Sequence, residues 1–98
     1  MKRYAIVLLS LSFAAGPSTE ILTHVPGNAR GLAIDGRTIY VSMYGAPPPG
    51  LLFRADNQPG SVPVQIATIP GTAEDVAVDA KAIYVVGHTS GTIWKMAR

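Results

Sequence analysis

The chain repeats itself. Val25 to Val41 (VPGNARGLAIDGRTIYV) lies over Ile69 to Val85 (IPGTAEDVAVDAKAIYV) at a shift of 44 residues, with eight of the seventeen positions identical and four more conservatively exchanged. Ordinary residue usage gives about one identity in such a span. The match resumes after a three-residue slip: Gly50 to Asp56 lies over Gly91 to Ala97, setting Phe53 on Trp94 and Arg54 on Lys95. The approach repeats too, Ile21 to Gly27 matching Gln65 to Gly71. A short unit present twice cannot bury its apolar faces alone, so the copies must stack on one another or on further copies.

Each unit reads as short strands. Leu32 and Ile34 alternate around Ala33 and stop at the turn pair Asp35-Gly36; Ile39, Val41 and Met43 alternate with Tyr40, Ser42 and Tyr44. β-branched and aromatic residues at a period of two are strand formers. Gly45 to Gly50 holds three consecutive prolines and must be a loop, since proline has no amide to give a ladder. Leu51 to Ala55 makes a third strand and the stretch from Val62 or Val64 to Ile69 a fourth, with Pro63 tolerated only at a start or an edge. Asp75 to Val78, Ala82 to His88 and Thr92 to Ala97 repeat the first three. Ten glycines and eight prolines agree with many turns and little helix. Ile83 and Val85 on one side of a strand, with Tyr84 and Val86 on the other, make a sheet apolar on both faces, which belongs between two layers.

Four-stranded antiparallel units of about 44 residues, stacked through both faces, describe β-propeller blades, and the expected fold is all-β with two blades in this chain. Glu20 to Val25 is expected to be a fourth strand supplied to the last blade of a ring. The Pro-Gly-x-Ala motif, the Ile-Tyr-Val triplet and the run Ser-Gly-Thr-Ile-Trp-Lys-Met (Ser90 to Met96) resemble repeats of secreted bacterial propellers. That group includes NHL-type and YWTD-like repeats and the relatives of virginiamycin B lyase and gluconolactonases. The resemblance covers Ile21 to Arg98 and implies a six- or seven-bladed fold. It implies no site, because the motif residues are structural and no catalytic pattern of the lyase or the lactonases can be placed on this sequence. A ring needs about four blades at least. Either copies assemble, three two-blade chains giving six blades, or the chain is a piece of a longer propeller.

The N-terminus reads as an export signal. Met1-Lys2-Arg3 precedes an apolar or small-residue run from Tyr4 to Ala15, and twelve residues at ~1.5 Å each cover ~18 Å, short of a ~30 Å hydrocarbon core. Ser12 and Ala14 are small at the two positions a signal peptidase reads. The expected organisation is a signal peptide over 1–14, a leader over 15–19 and the two-blade segment over 20–98, its repeats aligned as 25–56 and 69–97. The expected location is periplasmic or extracellular, with no stable membrane anchor after cleavage. With no cysteine, disulfides and thiolate metal sites are excluded. Beyond Lys2 and Arg3, six basic residues balance six acidic ones, which argues against a nucleic-acid partner.

Candidate chemistry lies in the loops that share one end of a propeller: 28–31, 44–50, 72–75 and 88–91. The repeat sets Arg30 over Glu74, Gly31 over Asp75 and Tyr44 over His88. Positions where the copies differ in polarity are better candidates than those where they agree, so Arg30, Tyr44, Glu74, Asp75 and His88 form the expected ligand-binding set. Glu74, Asp75 and His88 are also residue types that hold a divalent cation or act as a general base, although a solvated rim is the commoner role for such loops. Asp35 and Asp79 recur beside tight turns and are expected to cap backbone amides. Tyr40, Tyr84, Phe53 and Trp94 are expected to pack. With no nucleophile elbow or phosphate loop, the reading is a non-catalytic binding or scaffold module needing no cofactor, whose partners are its own copies or a protein or glycan. The alternative is a metal-assisted lyase or hydrolase of the propeller kind.

Overall fold

The computed structural model describes residues 18–88 and 90–98; the expected signal peptide, the first residues of the leader and Thr89 lie outside them. The described residues form seven strands: β1 (Ala29–Asp35), β2 (Thr38–Met43), β3 (Gly50–Asp56), β4 (Val64–Ile69), β5 (Ala73–Val78), β6 (Ala82–Gly87) and β7 (Ile93–Ala97). They make two antiparallel sheets, a four-stranded one in the order β1-β2-β3-β4 and a three-stranded one in the order β5-β6-β7. Described helices are absent, and the all-β expectation holds.

Both sheets are meanders built by short turns. Gly36, with φ of 60°, closes the β1–β2 hairpin, where a side chain at positive φ would be strained. Near its start each sheet carries a register shift between its first two strands, Ala29/Gly31 in one and Ala73/Asp75 in the other. The expected cap at Asp79 is present: its Oδ1 accepts the Lys81 and Ala82 amides, each at 2.8 Å, while the Tyr84 hydroxyl donates to Oδ2 at 3.0 Å. Asp35 differs, because its carboxylate receives the Arg98 guanidinium instead. Gly36 forms that turn through its own backbone freedom, leaving Asp35 free for the side chain that the end of β7 brings to it.

Pairing sorts the side chains onto faces. Ala33 sits opposite Tyr40 and Leu52 opposite Ala67, so these residues, with Ile69, share the inner face of the first sheet. Val76 sits opposite Val85 and Val85 opposite Trp94, which with Ile83 and Met96 make the inner face of the second. These faces meet in one buried cluster of Tyr40, Leu52, Ile69, Ala73, Val76, Ile83 and Val85, with Trp94 and Met96 packed against it. The sheets approach most closely along β1 and β5, where Gly31 is required: a Cβ there would lie 2.7 Å from the Asp75 Cα.

Glu20 to Val25 is not a strand, which corrects the expectation for that segment. Its hold on the rest is the loop before β4: the Gly60 and Ser61 amides donate to the Ile21 and Leu22 carbonyls (3.2 and 2.8 Å), and the Thr23 hydroxyl donates to the Ser61 carbonyl (2.8 Å). A strand needs a continuous partner edge, and among the described residues the backbone bonds of this segment go to the loop at Gly60 and Ser61.

The Asp79 cap sets a pH dependence. The Lys81 amide, the Ala82 amide and the Tyr84 hydroxyl together hold the Asp79 carboxyl below its ordinary value. A carboxylate depressed on folding stabilises the fold above its unfolded pKa, about 4, and that contribution is lost as pH falls through the lower folded value. Asp79→Asn is therefore expected to flatten the acid limb of urea midpoints measured from about pH 5 downward. An unchanged acid limb contradicts the assigned cap.

Candidate ligand-binding rim

Four loop segments converge at one end of the paired sheets, tied by their backbones. The Tyr44 amide donates to the Asn28 carbonyl (2.8 Å), the Ala73 amide to the Tyr44 carbonyl (3.0 Å), the His88 amide to the Thr72 carbonyl (3.0 Å) and the Gly50 amide to the Gly71 carbonyl (2.6 Å). Two of these bonds, Ala73 to Tyr44 and Gly50 to Gly71, join segments that flank different strands of the two sheets. The rim is therefore fixed by main chain before any side chain acts.

On that frame four of the five expected residues meet. Arg30 Nη1 donates to both Glu74 carboxylate oxygens, at 3.1 and 3.3 Å. His88 Nδ1 lies 3.2 Å from Glu74 Oε1. The Arg30 guanidinium carbon stands 4.1 Å from the centre of the Tyr44 ring, a cation–π distance. The Tyr44 and His88 rings meet edge to face, with centroids 5.7 Å apart, a favoured aromatic geometry. Arg30 and Tyr44 come from the ends of β1 and β2, Glu74 from β5 and His88 from the end of β6, so the cluster bridges the two sheets. All of its members keep contact with solvent.

Asp75 stands apart from this cluster. Its Oδ1 accepts the amide of Val76 at 2.8 Å, and it sits opposite Val86 on β6. Among the described residues, no group of three or more His, Asp or Glu side chains is placed to hold a metal ion. Glu74, the carboxylate nearest His88, is engaged by Arg30. The arrangement can offer hydrogen-bond donors from Arg30 and His88, an acceptor from Glu74 and an aromatic edge from Tyr44.

Sequence reasoning missed what shapes the rim. Gly45, buried with φ of 75°, folds the proline loop back so tightly that a Cβ there would strike the Pro49 carbonyl. Gly50 admits the Ala73 amide where a Cβ would lie 2.8 Å away. Both glycines flank the Pro-Pro-Pro run, which was a legible signal of a special loop. Compared with models of known protein families, with curated proteins and with solved structures, the chain matches none.

Proposed function

We propose that the chain is an exported binding or scaffold module of the β-propeller kind, holding a glycan or a peptide at the rim built by Arg30, Tyr44, Glu74 and His88. The observation that supports it is the convergence of these four side chains from both sheets onto one main-chain frame. Arg30 is held over the Tyr44 ring and aligned by Glu74, so its remaining donors are pre-oriented, which lowers the ordering cost of binding. Ion pairs this exposed add about 0–1 kcal/mol to stability, so recognition explains the cluster better than stability does. The apolar run and small residues of the N-terminus support export.

Arrays of oligosaccharides and peptides test the reading. Saturable binding is expected, weakened about tenfold or more by Arg30→Ala and by Tyr44→Ala, with an unchanged β-sheet circular dichroism signal. Absence of binding, together with lactone hydrolysis dependent on added Mg²⁺, overturns it in favour of a metal-assisted enzyme.

A further inference from the structure

We propose that a second copy of this chain docks head to tail on the first, the outer face of its second sheet entering the groove on the outer face of the first sheet. The inference rests on the propeller-type reading of the two sheets, but not on what the rim binds.

The starting point is that the sheets pack through non-equivalent faces. On the inner face of the first sheet, Ala33, Tyr40 and Leu52 align with Ala77, Tyr84 and Ile93 of the second, and these lie on the second sheet's outer face with Val86. On the inner face of the second sheet, Val76, Val78, Ile83 and Val85 align with Leu32, Ile34, Ile39 and Val41, which lie on the first sheet's outer face. One internal contact therefore uses one face from each unit and leaves its complement without a covering sheet among the described residues; on the first sheet's outer face Ile39 and Phe53 are buried within the chain, while Leu32 and Ile34 stay open. Exposure follows. Leu52 is 0% exposed where the second sheet covers it, and its counterpart Ile93 is 65% exposed. Val76 is 6% exposed, and its counterpart Leu32 is 58% exposed, as is Ile34 beside it. A surface complementary to one that the molecule already carries elsewhere makes a heterologous contact, and here the observed sheet pairing is its template.

Two further features fit the same occupant. Leu32, Ile39 and Val41 line one wall of an open groove of about 580 Å³ whose other wall is residues 20–25. The second sheet has three strands and, among the described residues, β7 pairs only with β6, whereas β3 pairs on both sides. Ile21 to Gly27 aligns with Gln65 to Gly71 around β4, the strand that completes the first sheet. An incoming second sheet thus finds, across the groove, a segment of the sequence type that its bare β7 edge lacks. Charge agrees as well. Arg30 and Glu74 are 44 residues apart and pair across the internal contact, so the same stacking between copies sets Glu74 of one against Arg30 of the next.

Sedimentation of the whole chain with two variants tests this. Wild type is expected to sediment above the mass of one chain. Leu32→Glu and Ile93→Glu each replace a side chain outside the internal core, and each is expected to weaken association about 30-fold or more while keeping the β-sheet signal. Mixed together, they are expected to form a dimer and nothing larger, because each retains the face that the other has lost. A folded, monomeric wild type overturns the proposal. So does a mixture that stays monomeric, and so does either variant alone associating as wild type does, the result for two like faces meeting. Array binding by monomeric Ile93→Glu reads the rim separately, so failure of either proposal is distinguishable from failure of the other.

Discussion

Leu52→Ala is expected to cost about 2–5 kcal/mol, the range for truncating a buried leucine. Leu52 is fully buried in the middle strands of the first sheet and belongs to the cluster shared with Val76, Ile83 and Val85 of the second. The lost methyl groups leave a void between two layers, each held in shape by its own ladder, so neither can collapse to fill it. At the slope of about 1–3 kcal/mol per molar urea usual for small domains, the midpoint should fall by about 1 M or more. Ile93→Ala is the matched control, because Ile93 aligns with Leu52 but is exposed within one chain. In dissociated protein its effect should stay within about 0.5 kcal/mol. Equal effects at the two positions contradict the packing described.

Gly31→Val should be at least as damaging, for a different reason. A Cβ at position 31 would lie 2.7 Å from the Asp75 Cα and 2.7 Å from the Ser42 hydroxyl oxygen. Asp75 Cα is main chain and cannot rotate away, so the sheets must separate where β1 meets β5. Forcing even a methylene into such a contact costs about 1–3 kcal/mol, and the branched side chain adds to that. Thermal unfolding that is broadened or lowered by about 10 °C or more is the expected outcome. Gly36→Ala gives the contrast: nothing lies near its added Cβ, and only the positive φ of 60° resists it, a cost of about 1 kcal/mol. A Gly31→Val protein as stable as wild type means that β1 and β5 are not in contact.

Both results depend on how the strands stack, and that much was legible in the residues. Alternation around Ala33 and Tyr40 marked the strands, and the 44-residue register placed Arg30 over Glu74. When two like units stack, equal positions become neighbours, which is why Arg30 and Glu74, aligned by the repeat as candidate site residues, form an ion pair in the structure. Asp75 joins the candidate set because it differs in polarity from its repeat counterpart Gly31; its carboxylate instead accepts the Val76 amide, a local bond that residue types do not mark. Asp35 and Asp79 occupy the same repeat position, yet only Asp79 caps its turn, because Gly36 and Arg98 differ between the copies. Glu20 to Val25 has strand-like residues but pairs with no strand among the described residues, and a strand is a property of a pair.

The central claim is that the two sheets share one core through the inner faces named above. Methyl-to-methyl nuclear Overhauser contacts in isotope-labelled protein test it most directly. Leu52 of the first sheet should show contacts to Val76, Ile83 and Val85 of the second, the residues with which it is buried. The Ile93→Glu variant, in which copies are separated, should retain them. Leu52 contacts confined to residues 29–69 would mean that the sheets fold without a common core, and the rim and the head-to-tail contact would both lose their basis.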